Sequence, residues 1–246
     1  MGLPKVRNVL IATGVVVLFI AAGLLLAQDQ ETVRVKTSLA ATDPRFPAYL
    51  ARLIGHPLNS GGQYTVYTNG DRAFPAMLEA IAHAQHRIAF ETYIYDAGEI
   101  GEQFTAAFEA AARRGVECRM VLDSIGAKSI DPDHRKRLEA AGCHIGWFHE
   151  VASYSAEEAN YRTHRKELVI DGDIAFVGGM GIADHWAKDV EKQKKWRDTQ
   201  VRIVGPAAMD VEAAFNENWI ETSGVVRSEE HTSELQSRFG ISYAVF

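Results

Sequence analysis

The residues of this chain best suited to chemistry are an imidazole and an ammonium separated by one residue, His164 and Lys166. They lie in the run Thr163-His164-Arg165-Lys166-Glu167-Leu168-Val169-Ile170-Asp171, and a glycine pair, Gly178-Gly179, follows. Residues i and i+2 of a strand project from the same face. A neutral imidazole so placed can attack the phosphorus of a phosphodiester while the neighbouring cation holds the non-bridging oxygens.

The elements that would position these groups follow from periodicity. From Tyr64 onward the apolar pattern changes repeatedly between a period of two and one of 3.6, the mark of an α/β domain. Strands are expected at Tyr64–Tyr67, Arg87–Tyr95, Glu117–Asp123, Cys143–Phe148, Lys166–Ile170, Ile174–Val177 and Gln200–Val204. Phe74, Met77, Leu78 and Ile81 recur at helical spacing. In Glu99–Arg114, Ile100, Phe104, Ala107, Phe108 and Ala111 turn inward and Gly115 supplies the left-handed stop. Asp131-Pro132 reads as an N-cap followed by proline at the first helical position, Gly142 closes that helix, and a last helix runs from Pro206 to about Trp219. Alternation of strand and helix implies parallel pairing with right-handed crossovers, and Asp171-Gly172-Asp173 is a hairpin signal.

The strings Phe90-Glu91-Thr92-Tyr93-Ile94-Tyr95, His164-x-Lys166-x4-Asp171-x6-Gly178-Gly179, Gly181-Ile182-Ala183-Asp184 and Trp196-Arg197-Asp198-Thr199 together resemble the phospholipase D superfamily, and within it the bacterial cardiolipin synthase branch. The resemblance spans about Tyr64 to Gly224. It implies a mixed, mostly parallel sheet flanked by helices. It also implies phosphatidyl transfer or phosphodiester cleavage through a phosphohistidine, with no metal and no cofactor. His164 then resembles the nucleophile and Lys166 the phosphate-binding cation. Asp171 either completes the motif or simply fills the hairpin turn. Asp198 resembles the carboxylate that steadies the histidine, against the alternative of a surface residue at a strand start. Glu91, out of phase with Ile88, Phe90, Thr92 and Ile94, either turns toward substrate or faces solvent. Gly178 and Gly179 are expected beside the substrate. Two departures stand out. Gly181 occupies a position where the superfamily usually has Asn, and no second His-x-Lys-x4-Asp occurs in the chain, although the family's site needs a second histidine to protonate the leaving oxygen.

Composition narrows the context. The chain has 246 residues, 47% hydrophobic and 24% charged, enough for one domain with a real core. A net charge of -6 argues against a general nucleic-acid binder, so no nucleic-acid partner is expected. Cys118 and Cys143 lack metal-ligand spacing and read as buried free thiols, with a single disulfide as the alternative. His83 and His86 read as surface positions, and Lys188, Lys192, Lys194 and Lys195 form a basic run that is either a solvated loop or a contact for anionic headgroups.

Residues 1–8 form a short basic N-terminus. Val9–Ala27 (9–27), nineteen uncharged residues, reads as a transmembrane anchor rather than a cleaved signal peptide. The globular part is then expected on the non-cytoplasmic side of the cell membrane. Residues 28–62 read as a linker with one short helix near Pro47–Ile54, and 63–224 as the catalytic half-domain. Residues 227–246, beginning Arg227-Ser228-Glu229-Glu230-His231, resemble a translated sequencing adapter and are set aside from fold reasoning. Three readings follow. The first is half of a membrane-anchored phosphatidyltransferase acting on a phosphatidylglycerol-like phospholipid, whose missing C-terminal half supplies the second histidine. The second is a one-motif phosphodiesterase or nuclease completed by a homodimer partner. The third is an inactive fragment that exposes the surface its other lobe would cover.

Overall fold

The computed structural model describes residues 11–20, 39–55, 58–150, 161–188 and 194–224. A first compact unit covers residues 1–56 and a second covers 57–246. In the first unit, residues 11–20 are helical (α1), and the apolar side chains there, Leu18 and Phe19 among them, are exposed. The remainder of the expected 9–27 anchor lies outside the described residues, as do residues 28–38 and 56–57 of the linker and the 227–246 tail. Among the described residues no helix is long and apolar enough to cross a membrane. Helix α2, Phe46–Ile54, starts with proline in its first turn and stops at Gly55 in the left-handed conformation.

The second unit is built on a seven-stranded sheet in the order β1-β7-β6-β5-β2-β3-β4. The strands are β1 Gln63–Thr68, β2 Arg87–Thr92, β3 Glu117–Asp123, β4 His144–Phe148, β5 Glu167–Ile170, β6 Ile174–Gly178 and β7 Thr199–Val204. The helices are α3 Gly70–His83, α4 Glu99–Arg113, α5 Pro132–Ala141 and α6 Ala208–Ser223. Each expected strand and helix is present, with ends moved by a few residues. The mostly parallel sheet is corrected. β2-β3-β4 pair in parallel, but the other four of the six pairings are antiparallel. The reason lies in the turns: Asp171 (φ +53°) and Gly172 (φ +78°) both adopt left-handed geometry and fold β5 straight back as β6, so no crossover helix is needed.

The sheet separates two apolar layers. Ile88, Phe90, Cys118, Met120, Leu122, Leu168, Ile170 and Phe176 pack with Phe74, Met77 and Ile81 of α3 and with Phe104 and Phe108 of α4. The alternate residues Ala89, Val121, Val169, Ala175 and Ile203 pack under Phe215 and Trp219 of α6. Packing on both faces explains why β2, β3 and β5 are buried along nearly their whole length. Cys118 and Cys143 are free and buried. Asp131 caps α5 by accepting from the Asp133 amide, and Gly142 ends it in the left-handed region, as the Asp-Pro…Gly pattern implies.

Candidate active site

The site forms at one edge of the sheet, where β2 and β3 end, where β5 and β7 begin, and where β6 runs into the glycine pair. Residues 161–166 do not join the ladder, because β5 starts at Glu167. His164 and Lys166 therefore sit on an extended lead-in rather than on the strand itself. They still share one side. The His164 ring lies 5.0 Å from the ring of Tyr93, which follows β2, and Lys166 Nζ lies 5.5 Å from the centre of that same ring.

His164 is exposed and Lys166 is buried. Partial burial, aided by the Lys166 charge and opposed by Asp123, holds the His164 imidazole below its usual pKa, so it is neutral near pH 7. Burial likewise pulls the Lys166 ammonium down to about 8, against the attraction of Asp198, Asp123 and Glu91. Its Nζ donates to the His164 carbonyl at 2.8 Å. An accessible neutral imidazole beside a poorly solvated ammonium suits nucleophilic attack on a phosphate ester.

Asp123 anchors the approach to this pair. Its buried carboxylate accepts from Arg162 Nε at 3.0 Å and Nη2 at 2.9 Å, and from the Ile125 and Gly126 amides, both at 2.9 Å. Arg162 also donates to the Phe148 and His149 carbonyls, both at 3.0 Å, and so ties the His164 segment to the ends of β3 and β4. Gly126 is packed so closely on Tyr93 that a Cβ there would lie 2.3 Å from the Tyr93 carbonyl oxygen.

The other expected site residues are placed as follows. Asp171 sits at the far end of β5 from His164. Its carboxylate accepts from the backbone amides of Gln85 at 2.9 Å and of His86 and Arg87 at 2.8 Å, which is the turn reading rather than the catalytic one. Burial raises its pKa, but those three donors outweigh it and hold the carboxyl below the ordinary value. Asp198 is at the site, yet its carboxylate accepts from the Trp186 indole at 3.3 Å and the Thr199 amide at 2.7 Å, not from the His164 ring. Its charge acts on Lys166 instead.

Glu91 is sealed from solvent. It is fully buried beneath α6, where Oε1 accepts from the Thr163 hydroxyl and from Asn218 Nδ2 at 2.6 Å. The glycine pair makes room for β7. A Cβ on Gly178 would lie 2.3 Å from the Thr199 carbonyl oxygen, and one on Gly179 would lie 2.4 Å from Asp198 Oδ1. Close approach of Thr199 and Gln200 to Gly178, and of Asp198 to Gly179, leaves no space for a side chain at either position.

The roles of Tyr93, Asp123, Arg162, Thr163 and Asn218 were not read from the sequence. The legible signal was weak: an Asn on the apolar stripe of the last helix and an Asp ending a buried strand. Of the basic run, Lys188 pairs with Glu99 and, at 3.4 Å, with Asp184, while Lys195 pairs with Asp71 at 3.2 Å; Lys192 lies outside the described residues. Among the described residues no group of three or more His, Cys, Asp or Glu side chains is arranged to hold a metal ion.

Comparisons with known proteins bear on the family and the fold. The cardiolipin synthase of Geobacillus thermodenitrificans is 33% identical over 205 residues, 82% of this chain and 41% of the relative. Cardiolipin synthase 1 of Bacillus anthracis is 34% identical over 157 residues, 63% of this chain and 31% of the relative. The chain thus spans about a third to two fifths of the length of the curated relatives it matches. Among solved structures, the phospholipase D family member Nuc from Salmonella typhimurium superposes with a TM-score of 0.50 at 18% identity, covering 65% of this chain and 95% of Nuc. NucT from Helicobacter pylori gives 0.51 at 11% identity, covering 66% and 98%. At such identities these two show the fold alone. The family model described as cardiolipin synthase, PLD-like domain, matches residues 77–219, more than half of the chain, and this protein therefore belongs to that family.

Proposed function

We propose that this chain carries the nucleophilic lobe of a membrane-anchored phosphatidyltransferase that acts on a phosphatidylglycerol-like phospholipid through a phosphohistidine. The observation that supports the reading best is the exposed, neutral His164 imidazole set with Lys166 against the single ring of Tyr93. One ring nitrogen bonds to phosphorus as the phosphorus–oxygen bond to the departing alcohol breaks, and that alcohol leaves with a proton from a general acid. An acceptor hydroxyl then gives its proton to that same group, now a base, and bonds to phosphorus while the nitrogen–phosphorus bond breaks, which restores the imidazole. Lys166 holds the non-bridging oxygens in both steps, and bound phosphate keeps its proton in place.

The general acid belongs to a second histidine outside this chain's one motif. Matches to relatives more than twice as long favour a second lobe as its source. A homodimer, in which a second copy supplies the acid through two-fold symmetry, is the other reading. Lipid as substrate agrees with residues 9–27 serving as an anchor, for which the apolar run itself is the support. The test is a denaturing quench during turnover of headgroup-labelled or phosphorus-labelled phosphatidylglycerol. Phosphorus label on His164, absent in His164→Ala, is expected; label on another residue overturns the assignment. A one-lobe diesterase would instead turn over as a soluble dimer, with activity that falls on dilution below its dimerisation constant.

A further inference from the structure

Behind His164 the chain buries two carboxyls side by side. Glu91 and Glu167 are directly opposed in the antiparallel β2–β5 ladder, and both side chains point toward α6. Glu91 is 0% exposed and Glu167 6%. Glu91 Oε1 is engaged by Thr163 and Asn218, and Asn218 Nδ2 also reaches Thr163 Oγ1 at 3.3 Å. As two carboxylates, both purely acceptors, they leave Glu91 Oε2 and Glu167 Oε1 buried without a donor among the described residues. Two adjacent buried anions are costly, whereas one proton between them gives each carboxyl a hydrogen bond and removes one charge.

Their neighbours make the arrangement more than a packing detail. Thr163 and Glu167 bracket His164 and Lys166 in sequence. Arg165, between them, donates to the Ala214 carbonyl at 2.5 Å and to Glu217 Oε2 at 2.9 Å, both on α6. The odd-numbered residues of this segment are thus fastened to β2 and α6, and the even-numbered ones are left facing Tyr93. We infer that the Glu91–Glu167 pair, sharing a single proton, is a positioning device that clamps both flanks of the His164-x-Lys166 segment from its buried side and so sets the aim of the two reacting side chains. The inference deepens, and rests on, the reading of His164 as nucleophile.

Electrostatics agree with the geometry. Burial first, and then the Glu91 charge, raises Glu167 to about 8, so the proton stays through neutral pH. The charged groups that act on the pair are Arg165 and Lys166 from its own segment and Glu217 from α6; the flanking positions on β3 and β6 are the neutral Val121 and Val177.

Two arms test this in the full chain. The first reads the pair, by carbon-13 NMR of the side-chain carboxyls, assigned with Glu91→Gln and Glu167→Gln. One carboxyl that keeps its proton past pH 7 is expected; two that both ionise below pH 5 overturn the proposal. The second reads positioning with Thr163→Val, which leaves both carboxyls in place and cuts one link to His164. Shifted His164 ring resonances at constant pH are expected, together with a loss in kcat of about tenfold to a hundredfold at unchanged KM. Ring resonances identical to those of the unaltered protein overturn it. If no phosphodiester is turned over even by the unaltered chain, the catalytic reading fails, while both NMR arms still decide whether the pair aims the segment.

Discussion

At the scale of single residues the site combines a neutral imidazole with a cation that is easily discharged. His164 is held below its ordinary pKa and Lys166 near 8. The expected pH–rate profile of kcat/KM is a bell: its acid limb lies below pH 6.5, where His164 takes up a proton, and its alkaline limb lies near pH 8, where free-enzyme Lys166 loses one. Lys166→Met should cost ~10²–10³ in kcat/KM, in line with loss of one preorganised donor, and steady-state kinetics on vesicles checks it. Asp171 is expected to behave in the opposite way. Asp171→Ala strands three backbone donors and should cost ~1–3 kcal/mol of stability in denaturant titrations, with phosphohistidine formation retained in the folded fraction. Because its folded pKa is depressed, the stability Asp171 contributes is present above the ordinary carboxylate pKa and is lost as pH falls through the folded value. The variant should therefore also be less sensitive to acid.

At the scale of elements, the β2–β5 junction and α6 form the back-plate of the site. Phe215 and Trp219 of α6 pack on the sheet beside the Asn218 that holds Glu91 and Thr163. Phe215→Ala should cost ~3–5 kcal/mol and lower the melting temperature by several degrees. The buried Glu167 adds a pH signature. Its folded pKa is raised from the ordinary 4.5 to about 8, so its contribution is full below the unfolded pKa and is lost as pH rises toward 8. Melting temperature should fall across pH 5 to 8 in the unaltered protein, and Glu167→Gln should flatten that slope in calorimetry. Sequence periodicity captured these elements well, because burial on both faces of β2, β3 and β5 and proline or glycine at the ends of α5 leave direct traces. It gave the antiparallel β5–β6 hairpin at Asp171-Gly172-Asp173 but missed the other antiparallel pairings, since the direction of a strand relative to its neighbour is decided by which edge receives it, and β5 enters beside β2 instead of extending the parallel run past β4.

At the scale of the whole molecule, the proposed anchoring by residues 9–27 makes a direct prediction. The full chain should sediment with membranes and resist alkaline carbonate extraction, and a chain lacking residues 1–27 should move to the soluble fraction; immunoblotting of the two fractions checks this. The sequence by itself determined the α/β class, the nucleophile candidate and the family resemblance, because a His-x-Lys motif and its flanking strings are local and chemical. Only the tertiary structure decided what the acidic residues do. Asp171, Asp198 and Glu91 look alike in sequence as carboxylates near a motif. Folding sends Asp171 to cap a distant loop, gives Asp198 to Trp186 and Thr199, and seals Glu91 against Glu167. A carboxylate's role is set by the donors that surround it in space, and those donors come from segments up to 127 residues away in the chain, as with Glu91 and Asn218.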